Sequence, residues 1–134
     1  MEVVTVMTVM QKWGEGAYTS EGKEAVAAAT FAEGCKTYAT GVNAPIYKDY
    51  TGPSGVLEWV AGLDQIEFED FTPSLVGASG DKVYLKCTYS AVKKSSGKSI
   101  STQEDLQEWT VKDGKVAQVK FWWGGPEALA SLWA

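Results

Sequence analysis

The chain has 134 residues, 45% of them hydrophobic and 22% charged, so it can form one globular domain with a core but not two. It contains no histidine and all 12 of its basic side chains are lysines, which excludes Ser-His-Asp and Cys-His sites, histidine metal ligands and arginine clamps for phosphate. The net charge of -5 makes nucleic acid an unsuitable partner.

The first half of the chain shows helical patterns. Residues 3–13 carry an apolar stripe at helical spacing, although their valines and threonines suit a strand equally well, so both structures stay open. Residues 20–33 are alanine-rich, begin at a serine and end before Gly34, which is typical of a helix. A strand over residues 36–40 and a loop follow, and Pro53 begins a third helix.

The second half shows strand patterns. Apolar and polar residues alternate from Ile66 until Pro73 breaks the run, and they alternate again from Val83. Residues 99–112 and 115–123 form two further strands joined at an Asp-Gly hairpin, and Pro126 opens a short helix. Helices followed by a long antiparallel meander predict an α+β fold with the helices on one face of the sheet. Strands of this length twist strongly, so the sheet should curl around a cavity.

Three segments, in the correct order, are similar to one known superfamily. Residues 30–35 (TFAEGC) match the end of a helix before a first strand, and residues 50–59 (YTGPSGVLEW) match a glycine turn into a third helix. Residues 108–116 (EWTVKDGKV) match an aromatic-containing Asp-Gly-Lys hairpin. Together they resemble the nuclear transport factor 2-like superfamily, in its SnoaL-like and ketosteroid isomerase-like branch.

The resemblance covers nearly the whole chain and implies a single SnoaL-like domain over residues 1–134. It implies a cone-shaped α+β roll in which three N-terminal helices pack in a curved antiparallel sheet. The implied function is binding of an apolar small molecule in an aromatic-lined pocket. Turnover stays open; an enzyme of this kind would be an isomerase, cyclase or lyase of ring-containing metabolites, acting by carbonyl polarisation and proton transfer without metal or cofactor. The alternative is a non-catalytic protein-interaction module of the nuclear transport factor 2 type.

The catalytic residues of relatives are only partly present. Ketosteroid isomerase-like members have a carboxylate base at the position of Ala39, which cannot accept a proton, and an acid at the position of Gln107, which can donate a hydrogen bond but cannot act as an acid. The missing histidine and arginine exclude mechanisms like those of scytalone dehydratase and limonene epoxide hydrolase. Gln107 and Asp49 are therefore the catalytic candidates. Asp49 could act as a base if burial beside tyrosines raises its pKa, whereas the alternative is a solvated loop carboxylate next to Lys48.

Aromatic residues from several elements should converge on the pocket, because such side chains bind flat rings. The ligand-binding candidates are Tyr38, Tyr50, Trp59, Tyr89 and Trp109. Ordinary core packing is the alternative for Trp59 and Trp109. Among the acidic residues of the strand over 99–112, only Glu104 and Glu108 share a face, which is expected to point outward. No metal ligand set is present.

Adjacent residues on a strand point to opposite faces, so one of Trp122 and Trp123 should lie on the outer face of the sheet. The resemblance implies a homodimer through that face, with one of the two indoles buried there. Cys35 and Cys87 are expected to be core residues. No signal-peptide pattern or long apolar run is present, so we expect a cytoplasmic protein with no membrane partner.

Overall fold

The computed structural model describes residues 2–134, which form a six-stranded sheet with helices packed against it. The helices are α1 (Glu2–Gly14), α2 (Lys23–Thr30), α3 (Gly52–Leu63) and α4 (Pro126–Ser131). The strands are β1 (Phe31–Tyr38), β2 (Asp49–Thr51), β3 (Ile66–Ser79), β4 (Lys82–Lys93), β5 (Ser99–Lys112) and β6 (Lys115–Trp123). Within residues 2–134, no helix combines the length and the apolar character that crossing a membrane requires.

The strand order is β2-β1-β6-β5-β4-β3. The four long strands form the predicted antiparallel meander, and β2 pairs antiparallel to β1. The predicted α+β class is confirmed, but the sheet is not wholly antiparallel, because β1 and β6 run parallel. The last strand of the meander, β6, therefore lies beside β1, the first strand of the chain.

Tertiary packing determines three local features: the structure of residues 3–13, for which helix and strand were both possible, and the ends of α2 and β3, which were predicted at other residues. The segment after Glu2 is helical, since a helix places both Val6 and Val9 in the core. The second helix ends at Thr30, before its predicted end, because Phe31 pairs with Val116 in the sheet and buries its ring. Pro73 does not end β3, since β3 is an edge strand and a missing N–H is tolerated there.

The core has two parts that meet around an unfilled space. One part contains the buried faces of α1 and α2 with Phe31, Trp109 and Val116. The other contains Trp59 and Tyr89 together with the apolar side chains of α4. Cys35 and Cys87 are buried free thiols, in agreement with the predicted core positions. The C-terminal helix therefore contributes to the second part of the core.

Candidate functional site

A cavity of about 110 Å³ lies between the helices and the sheet. More than half of the side chains that line it are aromatic, including Trp13, Trp59, Phe71, Trp109, Phe121 and Trp123. Its polar side chains, apart from tyrosines, are Thr37, Asp105 and Gln107, and no lysine lines it. An apolar cavity with a few converging polar groups is the usual form of a small-molecule site.

A second, wider groove of about 680 Å³ lies beside the end of α1. Met10, Trp13, Tyr18 and Leu63 line both the groove and the cavity, so the two spaces are neighbours. The Trp13 and Phe71 rings meet edge to face with their centroids 4.7 Å apart. Both rings line the groove as well as the cavity.

Asp105 is the buried carboxylate of the cavity, with 4% of its surface exposed. Its Oδ2 accepts a hydrogen bond from the Tyr89 hydroxyl at 2.9 Å, and the Gly124 N–H lies 3.5 Å from Oδ1. Burial raises the pKa of Asp105 to about 6, against the opposing effect of these two donors. In the described part of the chain no lysine forms an ion pair with it. Asp105 can therefore carry or release a proton near neutral pH.

The sequence of β5 explains why this carboxylate faces inward. Asp105, Gln107 and Trp109 are alternate residues of one strand and so share its cavity face. At the end of β6, a Cβ on Gly124 would overlap the Glu104 carbonyl oxygen. Only glycine lets the backbone come this close, and the approach brings its N–H toward the Asp105 carboxylate.

Tyr47 places a second phenol near Asp105. Its edge-to-face ring contacts have centroid distances of 5.3 Å to Trp59, 5.1 Å to Trp123 and 5.6 Å to Trp133. Burial and the negative charge of Asp105 both raise the pKa of Tyr47, so its hydroxyl stays protonated. No residue from 2 to 134 forms a hydrogen bond with that hydroxyl. It is a donor available to a ligand.

Gln107 provides a further donor. The Trp109 indole N–H donates to the Gln107 Oε1 at 2.9 Å, which holds the amide in one orientation. The amide nitrogen has no hydrogen-bond acceptor among the residues that the structure describes. A ligand carbonyl in the cavity can therefore accept a hydrogen bond from it.

Four of the seven predicted site residues line the cavity: Gln107, Trp59, Tyr89 and Trp109. Asp49 is exposed at the start of β2, so the burial on which its proposed role depended is absent. Tyr50 is buried, but its hydroxyl donates to the Ile46 carbonyl at 2.7 Å and it does not line the cavity. Tyr38 lies under Lys120, whose Nζ is 5.9 Å from the ring centroid. Tyr38 does not line the cavity, whereas its neighbour Thr37 does, because adjacent residues of β1 point to opposite faces of the sheet.

Asp105 and Tyr47 line the cavity but are not among the seven predicted site residues. Asp105 shares its strand face with Gln107 and Trp109, which were predicted to face the pocket, so the alternation of β5 includes it. Tyr47 is aromatic, as the predicted pocket residues are, but it belongs to a loop whose path depends on contacts with α3, β6 and the C-terminal segment, so the sequence did not distinguish it from the other loop tyrosine. Across residues 2–134 no group of three or more carboxylates or thiols is arranged to hold a metal ion.

The outer face of the sheet carries an apolar patch. Trp122 and Leu106 are each 49% exposed and lie directly opposite one another on β6 and β5. Trp123 faces inward, where its indole N–H donates to the Thr40 carbonyl at 2.7 Å. Trp122 is therefore the indole on the outer face.

No protein-family model matches the sequence, and no curated protein matches it. Solved structures do. A nuclear transport factor 2-like protein from Burkholderia xenovorans LB400 has a TM-score of 0.80 and 20% identity, covering 98% of this chain and 94% of that one. A candidate SnoaL-like polyketide cyclase from Jannaschia sp. CCS1 has a TM-score of 0.69 and 18% identity, covering 97% and 92%.

A third similar structure is IdmH, a candidate polyketide cyclase from Streptomyces antibioticus. Its TM-score is 0.65 and its identity 16%, with 100% of this chain and 99% of that chain covered. At these identities the likeness concerns the fold, and fold alone does not fix function. The chain has the nuclear transport factor 2-like fold that its three sequence segments predicted.

Proposed function

We propose that the chain binds a flat, ring-containing small molecule in the cavity and moves a proton on it, as an isomerase or cyclase. The main support for this proposal is the Asp105 carboxyl group, which is buried in an aromatic cavity and has a pKa of about 6. A group with such a pKa both accepts and releases protons near neutral pH. The candidate polyketide cyclases among the similar structures support the same class of reaction.

In the proposed reaction, the Asp105 carboxylate takes a proton from a carbon next to a ligand carbonyl. The bonding electrons move onto the carbonyl oxygen, which becomes an enolate and accepts hydrogen bonds from the Gln107 amide and the Tyr47 hydroxyl. In an isomerisation, the protonated Asp105 returns the proton to a different carbon. In a cyclisation, the enolate carbon attacks an electrophilic carbonyl of the same molecule, and the proton goes to the new alkoxide.

Ligand binding can be tested with 2-tetralone, a flat bicyclic ketone. We expect it to quench tryptophan fluorescence with a Kd on the order of tens of micromolar, since its rings contact indoles of the cavity. Gln107→Leu removes the amide donor and should weaken binding by about tenfold. Glu104→Gln, on the outer face of the same strand, should leave the Kd unchanged.

No quenching by 2-tetralone, or quenching that Gln107→Leu leaves intact in a folded variant, would contradict the cavity proposal. A melting curve for each variant separates loss of binding from loss of folding. The absence of any small-molecule response would favour the protein-interaction module instead.

We also propose that the outer sheet face binds a second copy of this chain. Trp122, Leu106 and the partly exposed Tyr84 form an apolar patch on β4, β5 and β6. Lys86 and Glu104 lie beside it with Nζ and Oε2 3.8 Å apart, so a two-fold related copy can place opposite charges against each other.

Trp122→Lys tests this interface, because it places a charge at the centre of the patch. We expect sedimentation velocity to show a dimer for the native chain and a monomer for this variant. Val4→Lys alters an apolar side chain on α1 that is 67% exposed, and should leave the dimer intact. A monomeric native chain, or a Trp122→Lys dimer of unchanged strength, would exclude this face as the interface.

A further inference from the structure

Tyr18 carries a buried hydroxyl without a hydrogen-bond partner in the part of the chain that the structure describes. The residue is 2% exposed. The neighbouring Thr30 hydroxyl donates to the Val26 carbonyl at 2.9 Å; it lies near enough to Tyr18 to lower the pKa of that phenol, but the contact does not meet the geometry of a hydrogen bond. Buried donors without an acceptor are rare and unfavourable in folded proteins. A ligand is therefore a possible source of the acceptor for the Tyr18 hydroxyl.

The Tyr18 side chain lines both the cavity and the groove, so a ligand in either space lies beside it. Burial raises the pKa of Tyr18, against a smaller opposing effect of Thr30, so the hydroxyl is a donor at neutral pH.

The Tyr18 hydroxyl and Asp105 belong to opposite ends of the site. The Tyr18 ring centroid is 6.0 Å from that of Phe31, which pairs with Val116 near the start of β6. Asp105 instead pairs with Trp123 at the far end of the same strand. Six residues of β6 lie between these two positions, so Tyr18 and Asp105 lie toward different ends of that strand. Different oxygen atoms of a ligand would therefore contact the two groups.

We propose that Tyr18 is a further ligand-binding residue, in addition to Gln107, Tyr47 and Asp105. Its hydroxyl donates a hydrogen bond to an oxygen at the end of the ligand remote from Asp105. This inference rests on the proposed function and narrows its substrate class. The ligand is an elongated, flat ring system with one oxygen function at each end and a hydrocarbon middle, which fits the apolar walls formed by Val9, Trp109 and Val119. The oxygen at Tyr18 is neutral, since no lysine lines the cavity to pair with a carboxylate or phosphate.

Two bicyclic phenols of nearly equal shape test this arrangement by calorimetry. One is 2-naphthol, with a single oxygen, and the other is 2,6-dihydroxynaphthalene, with an oxygen at each end. We expect the second to bind the native chain about tenfold more tightly, because it alone satisfies both ends. Tyr18→Phe should remove this advantage while leaving the affinity for 2-naphthol unchanged.

The melting temperature of the ligand-free protein gives a second readout. If the hydroxyl has a hydrogen-bond partner only when a ligand is bound, Tyr18→Phe removes an unsatisfied donor from the ligand-free protein and should raise its melting temperature. A lowered melting temperature, with equal affinities of both phenols for the native chain, would show a structural hydroxyl and overturn the inference. That result leaves the proposed function standing, whereas binding of neither phenol would contradict the proposed function itself.

Discussion

Replacing Asp105 with asparagine should slow proton transfer to and from a bound ring ketone by about 10² to 10⁴-fold, the usual contribution of a general acid–base residue. Asparagine keeps the shape and the hydrogen-bond acceptor for Tyr89 but cannot take a proton. The measurement is hydrogen–deuterium exchange at the carbons beside the carbonyl of 2-tetralone, followed by NMR in deuterated buffer. The rate is compared between the native chain and the variant at saturating ketone.

The pH dependence identifies the form of Asp105 that acts. Because its pKa is about 6 and the carboxylate is the base, the native exchange rate should rise through pH 6 and level off above it. Asp49→Asn is the matched control, since it makes the same chemical change at an exposed carboxylate. If Asp49→Asn abolished exchange and Asp105→Asn did not, the site would lie elsewhere.

The free energy of unfolding should also depend on pH through Asp105. It should fall as the pH rises, whereas an acidic residue whose pKa is lowered by folding makes it rise. Folding raises its pKa from 3.8 to about 6, so folding favours the protonated form. The stabilisation is therefore complete below about pH 4 and is lost as the pH rises through about 6. The shift corresponds to about 3 kcal/mol between pH 4 and pH 8. Asp105→Asn should remove this loss and make the chain relatively more stable at pH 8.

Urea unfolding at pH 4 and pH 8 measures the effect as a difference of free energies of unfolding. Glu104→Gln is the control, because it neutralises the adjacent exposed carboxylate on the opposite face of β5. We expect this control to keep the pH dependence of the native chain. If the difference in free energy of unfolding between the native chain and Asp105→Asn were the same at both pH values, folding would not shift the pKa of Asp105.

Local patterns were sufficient for much of the fold. The ends of β5 and β6 were predicted at the residues where they occur, because two-residue periodicity and the Asp-Gly turn are both local signals. The end of α2 and the continuation of β3 through Pro73 were not, since each depends on pairing with a distant strand. The parallel pairing of β1 with β6 likewise has no signal in either segment alone.

Side chains of the candidate site were predictable where they lie on regular strands. Alternation predicts that Gln107 and Trp109 face the cavity, as they do, and the same alternation places Asp105 on that face. Tyr47 and Tyr50 lie only three residues apart, yet one lines the cavity and the other bonds to Ile46. Loop geometry of this kind is set by surrounding packing, so residue type alone could not distinguish them.

A crystal structure of the chain with 2-tetralone bound would show whether the cavity binds a ring ketone. We expect the ketone inside the aromatic cavity, its carbonyl oxygen within hydrogen-bonding distance of the Gln107 amide or the Tyr47 hydroxyl, and the Asp105 carboxylate facing the adjacent carbon. A ketone found only on the outer sheet face, or a cavity closed by side chains at saturating ketone, would contradict it.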